Sequence, residues 1–83
     1  MHQNYPNPFN PSTTIRYGLP KDSQVKVIVY DMLGQKVAEL VDQYQDAGYH
    51  EVSFEASDLN SGIYLYKIEA ESFTKIKKMI FLK

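Results

Sequence analysis

The chain has 83 residues, with no cysteine and no tryptophan, seven tyrosines, four phenylalanines and a formal net charge of −1. This length makes one small domain, which buries only a little over ~60% of the surface its unfolded chain exposes and has no disulfide or thiolate–metal site to staple it. A near-neutral charge gives no bulk attraction to nucleic acid or an anionic membrane, and no apolar run approaches the roughly 20 residues that cross a bilayer.

No charged-then-apolar signal peptide opens the sequence, and Met1-His2 reads as an added start, so an excised domain of a longer protein is expected. The charge is unevenly placed. Residues 31–58 hold seven acids against Lys36 alone, a net −6, while residues 72–83 hold four lysines and no acid. Plain complementarity within the domain is one reading of this asymmetry. A docking role for the basic end is the other.

In chain order, Asn4-Tyr5-Pro6-Asn7-Pro8-Phe9-Asn10-Pro11 comes first and places three of the four prolines within six residues. Each proline fixes its own φ and pushes the preceding residue toward extended geometry. Residues 1–12 therefore read as a helix-free lead-in, and residues 13–83 as the folded domain. Residues 15–19 form a first strand, with Ile15, Tyr17 and Leu19 on one side, stopped at Pro20. Residues 24–31 are the clearest strand, with Val25, Val27 and Val29 facing one way and Lys26, Ile28 and Tyr30 the other.

Asp31-Met32-Leu33-Gly34 matches a type I turn, where the aspartate side chain bonds the turn backbone and the glycine takes a positive φ. Residues 35–41 are read as a strand after that turn, although Val37, Ala38, Leu40 and Val41 also fit a short helical stretch. Residues 42–45 are polar, and Asp46-Ala47-Gly48 is a second turn. His50, Val52, Phe54 and Ala56 share one face of the next strand. The loop over 57–62 is rich in turn formers. Tyr64, Tyr66, Ile68 and Ala70 share a face of the strand over 63–70, and Glu71-Ser72 leaves room only for a tight hairpin. In the last strand, over 73–82, Ile76, Ile80 and Leu82 share a face with Lys78, which reads as an inward lysine guarding an edge strand, or else Lys75, Lys77 and Lys78 form a recognition surface whose edge a partner reads by strand addition. This gives six strands, or seven if 35–44 breaks in two, and an all-β sandwich.

Little here equips the chain for chemistry. His50 is a lone strand histidine, and the carboxylates are dispersed with no acid–base spacing. Asp58, Asn60 and Ser61 share one loop but lack the glycine and terminal glutamate of an EF-hand. Gly34, Gly48 and Gly62 are isolated, so no phosphate-cradling loop forms. Tyr64 and Tyr66, with Tyr30 as a possible third, are the one candidate sugar platform; in a small sandwich such residues more often build the core. No catalytic residue, metal or cofactor is expected, and basic residues do not interleave with aromatics as nucleic-acid binding needs.

Five words in order resemble one family, the carboxy-terminal sorting domains of type IX secretion cargo proteins from Bacteroidetes-type bacteria. They are Asn4-Tyr5-Pro6-Asn7-Pro8-Phe9-Asn10-Pro11-Ser12-Thr13-Thr14-Ile15; Val27-Ile28-Val29-Tyr30-Asp31-Met32-Leu33-Gly34-Gln35-Lys36-Val37; Ala47-Gly48-Tyr49-His50-Glu51-Val52; Leu59-Asn60-Ser61-Gly62-Ile63-Tyr64; and Lys77-Lys78-Met79-Ile80-Phe81-Leu82-Lys83.

The resemblance implies an immunoglobulin-like antiparallel β-sandwich of about seven short strands. It also implies a non-catalytic module, carried by a larger secreted cargo and read by the outer-membrane machinery on the way from periplasm to cell surface. A surface sortase then removes the module in many members and anchors the cargo. No nucleic acid or small-molecule substrate is implied. The family's signal lies toward its last strands, which here points to Gly62, Tyr64, Lys77, Lys78 and Lys83 as recognition residues. Flagellar hook-capping domains share the opening word and the sandwich, as a structural alternative. They carry a tryptophan-led word where this chain reads Phe54-Glu55-Ala56-Ser57.

Overall fold

The structure, a computed structural model, describes residues 12–56 and 59–82. All of the lead-in except Ser12 lies outside the described residues, as do Ser57, Asp58 and Lys83. Six strands follow in order: β1 (Ser12–Leu19), β2 (Ser23–Asp31), β3 (Lys36–Gln45), β4 (Gly48–Glu55), β5 (Gly62–Ala70) and β6 (Phe73–Phe81). The seventh strand allowed for by the sequence is absent among the described residues, because β3 runs unbroken through the polar stretch over 42–45.

β1 and β4 pair as a two-stranded antiparallel sheet; the other four form a sheet in the order β3-β2-β5-β6, also antiparallel throughout. The chain changes sheet three times, between β1 and β2, β3 and β4, and β4 and β5. Only β2–β3 and β5–β6 are hairpins within one sheet.

The two sheets share a core. Ile15, Tyr17 and Leu19 of β1 and Phe54 of β4 meet Val25, Val27 and Val29 of β2, Tyr64, Tyr66 and Ile68 of β5, and Met79 and Phe81 of β6. In β1, β2, β4 and β5 the alternation read from the sequence holds, since every second residue points to one face and the apolar set goes inward. Tyr64 and Tyr66 are therefore core residues. Tyr30 lies on the opposite face of the larger sheet, beside Lys67, whose ammonium is 6.0 Å from the ring centroid. The sugar platform falls on this geometry, since its members face opposite ways.

β3 resolves the ambiguity of its spacing. Val27 pairs with Val41 but Ile28 with Glu39, and Val29 pairs with Ala38 but Tyr30 with Lys36. Leu40 and Val37 are thus extra residues in two bulges. Each bulge resets the alternation, so Val37, Ala38, Leu40 and Val41 all pack partly against the core from a strand. A helix-like spacing is what a doubly bulged strand produces.

β6 corrects the reading of its faces. Directly opposed residues of an antiparallel pair share a face. Lys77 opposes Tyr66, Lys75 opposes Ile68, and Met79 opposes Tyr64. The core face is therefore Phe73, Lys75, Lys77, Met79 and Phe81. Ile76, Lys78, Ile80 and Leu82 point outward, and Ile76 is 59% exposed. The lysines on the inward side of this outer strand are Lys75 and Lys77, not Lys78.

Candidate recognition surface

The expected recognition residues gather at the β5–β6 hairpin. Gly62 opens β5 with φ +155° and opposes Phe81. Tyr64 is buried in the core, and its hydroxyl donates to the Asn60 carbonyl at 2.8 Å. That bond clamps the loop before β5 onto the strand it leads into. Leu59 N–H donates to the Ala56 carbonyl at 3.0 Å in the same connection. Lys77 is half-buried and its stem lies along the core side of the sheet, while Lys78 is exposed on the outer side. The structure thus brings Gly62, Tyr64, Lys77 and Lys78 onto one hairpin, on two different faces. Lys83 lies outside the described residues.

The outer surface of this hairpin also carries Ile76, Ile80 and Leu82, which sequence alternation set on the inward face with Lys78. Ile63 opposes Ile80, and Leu65 opposes Lys78. Ile63, Ile76 and Leu82 are 38%, 59% and 51% exposed. One sequence signal would have located them. A two-residue hairpin at Glu71-Ser72 makes Ala70 oppose Phe73, and that alone fixes which β6 residues share the Tyr64–Tyr66 face.

Charge is arranged by strand order. The basic β6 and the segments that carry the acids of residues 31–56, which are the end of β2, β3, the β3–β4 link and β4, do not pair, since β6 pairs with β5 alone among the described residues. Ladder pairing between them therefore does not account for the asymmetry. Arg16 and Glu51 oppose each other across β1 and β4 and form an ion pair at 3.0 Å, and Lys67 and Glu69 approach to 3.8 Å along β5.

His50 has a structural setting. Its ring stacks on Tyr17 at 5.6 Å between centroids, and its Nε2 lies 2.7 Å from the Asp46 carbonyl oxygen. The Tyr17 hydroxyl donates to Gln45 Oε1, linking the smaller sheet to the end of β3. Burial pushes the Tyr17 hydroxyl above its ordinary value, and the Gln45 bond opposes that shift in part. Asp22 Oδ1 accepts from Ala47 N–H at 2.7 Å, which ties the β1–β2 link to the β3–β4 link. Among the described residues, no three histidine, aspartate or glutamate side chains come together as a ligand set for a metal ion.

A family model described as a secretion system C-terminal sorting domain matches residues 3–82. No curated protein and no solved structure matches the chain.

Proposed function

The chain belongs to the family of C-terminal sorting domains of the type IX secretion system, and from that premise we propose how it acts. It is a sorting signal that targets a larger secreted cargo to this system for translocation across the outer membrane. The observation that carries this is the family match over nearly the whole chain. The family's words also fall on the elements they require: the Tyr30-Asp31-Met32-Leu33-Gly34 word is the end of β2 and the β2–β3 turn, and the Leu59-Asn60-Ser61-Gly62 word is the loop pinned by Tyr64. The hook-capping alternative finds no support in that match.

In this reading residues 1–12 join cargo to address, and residues 13–83 are the address, an immunoglobulin-like sandwich that does no chemistry itself. The outer-membrane machinery reads the folded domain as it arrives from the periplasm, and a surface sortase acts at the junction once the cargo is outside. Gly62 and Tyr64 serve recognition by shaping the loop that leads into β5. Lys77, Lys78 and Lys83 serve it by charge on the last strand and just beyond it.

The test is a signal-peptide-bearing reporter fused to the whole chain in a type IX-competent bacterium. The fusion is expected at the cell surface or in the medium, and the bare reporter in the periplasm. Equal partitioning of the two would overturn the sorting function. Truncating residues 77–83 is a poor test of recognition, because it also strips Met79 and Phe81 from the core.

A further inference from the structure

The two sheets present unlike surfaces to solvent. On the smaller sheet, the outward pairs are Ser12 with Glu55, Thr14 with Ser53, Arg16 with Glu51, and Gly18 with Tyr49. That surface is polar and partly ion-paired, with one large ring, Tyr49. Every other large apolar side chain exposed among the described residues belongs to the larger sheet or its β2–β3 turn or, like Leu82, directly follows β6. On β6 and β5 they fall together, because cross-strand partners stand about 5 Å apart.

We propose that the outward stripe of Ile76, Lys78, Ile80 and Leu82, with Ile63 beside it on β5, is the surface by which the domain docks into an apolar strip edged with carboxylates on a protein of the secretion machinery. This rests on the sorting function argued above and specifies the partner's chemistry. The isoleucines are stiff at χ1, so the stripe presents a fixed shape at small entropic cost on binding. The charge selects the sign of the partner, since residues 72–83 carry four lysines and no acid.

The same composition would suit an anionic membrane, but the geometry does not. Of the β6 lysines only Lys78 stands on the stripe, while Lys75 and Lys77 point to the other side of the sheet. A lipid surface laid on the stripe gains Lys78 and, opposite Ile76 on β5, Lys67, which Glu69 already approaches to 3.8 Å, at about 1 kcal/mol each, and the stripe itself holds no tryptophan or tyrosine to anchor at the headgroups. A protein rim that wraps the last strand of the sheet reaches all three.

The experiment uses the reporter fusion with Ile76→Ser and Leu82→Ser combined, and separately Lys78→Glu. Ile76→Thr serves as a milder variant that keeps a β-branched residue in the strand. Arg16→Ala changes the other sheet as the control surface. Circular dichroism and thermal melting establish that each variant is folded.

The stripe variants are expected to fold, to lose about tenfold or more of surface delivery and to accumulate in the periplasm, while Arg16→Ala delivers normally. Folded stripe variants delivered like the parent overturn the docking surface and leave the sorting function standing. A parent fusion that is not delivered overturns the sorting function itself. Flotation of the purified chain with phosphatidylglycerol vesicles, lost on Ile76→Ser/Leu82→Ser, would assign the stripe to lipid and overturn the protein partner.

Discussion

The ladder between β2 and β3 shifts register twice, whereas β5 and β6 pair without interruption over nine residue pairs. The two hairpins flank the same sheet, yet they are held differently. β3 has no fully buried side chain. It is fastened by polar ties: Tyr17 to Gln45, Gln24 Nε2 to Asp42 Oδ1 at 3.0 Å, and the turn in which Asp31 Oδ1 accepts from Leu33 N–H and Gln35 N–H, both at 2.9 Å. β6 is fastened by oil, with Met79 and Phe81 at 0% exposure. One outer strand is therefore secured by bulges and turn chemistry, and the other by Met79 and Phe81 entering the core with Phe73 packed against it, while Lys75 stays exposed between them.

Substitutions can break this comparison, and the largest effect belongs to β6. Phe81→Ala removes a fully buried ring and is expected to destabilise by about 3–5 kcal/mol, enough to unfold a domain of this size at ordinary temperature. Val41→Ala, at a half-buried position of β3, is expected to cost about 1 kcal/mol. Chemical denaturation decides, and equal costs at the two sites would show that both strands are held by burial. Next is Asp31→Ala, which hands two exposed turn N–H groups over to water and loses both charge-assisted bonds that shape the turn. A loss of about 1–2 kcal/mol is expected, together with increased amide exchange confined to the β2–β3 hairpin.

Tyr17→Phe sharpens the polar side of the comparison. It removes the tie to Gln45, at a cost of about 1 kcal/mol near neutrality. The tyrosine's pKa is raised in the folded chain above its ordinary 10.0. Below that value both states keep the proton, and the stabilisation is whole. Above it the unfolded chain ionises first, so stability falls with rising pH until the folded value is passed. The gap between parent and Tyr17→Phe should therefore narrow in alkali, and a gap that widens would refute the assignment. Smallest is Arg16→Ala on the exposed β1–β4 ion pair, expected to shift stability by no more than about 0.5 kcal/mol and to lose even that in high salt.

Much of this fold is legible in the sequence, and where it is not, the reasons are local. Four strands alternate cleanly because one face of each is dry and the other wet. β6 misleads because both of its faces carry large apolar residues: Phe73, Met79 and Phe81 on one, Ile76, Ile80 and Leu82 on the other. Alternation within the strand favours the set that holds fewer lysines, which is the wrong one. The decision lies in pairing with β5 through the Glu71-Ser72 turn. β3 misleads because its bulges erase the period of two. That β6 pairs with none of the segments that carry the acids of residues 31–56 depends on strand order, which no local pattern encodes. As for the expected recognition residues, Gly62, Tyr64, Lys77 and Lys78 share one hairpin because the two strands that hold them are joined by the tight Glu71-Ser72 turn. Which side of the sheet each lysine takes depends on register.

Glycine placement adds one more constraint of this kind. A Cβ at Gly18 would come within 3.2 Å of the Tyr49 ring that lies across it from the neighbouring strand. The ring covers backbone that a larger residue would push away, so the β1–β4 pair keeps its close approach at the point where the chain leaves toward β2.

The register of β6 has a consequence for traffic through a secretion system. Core residues and outward residues alternate on the same short strand, so a slip of one position would exchange them, exposing Met79 and Phe81 and hiding Ile80. A copy slipped by one position therefore cannot display the stripe. Address and folding certificate are written on alternate letters of one line, and a receptor that reads the first has already inspected the second.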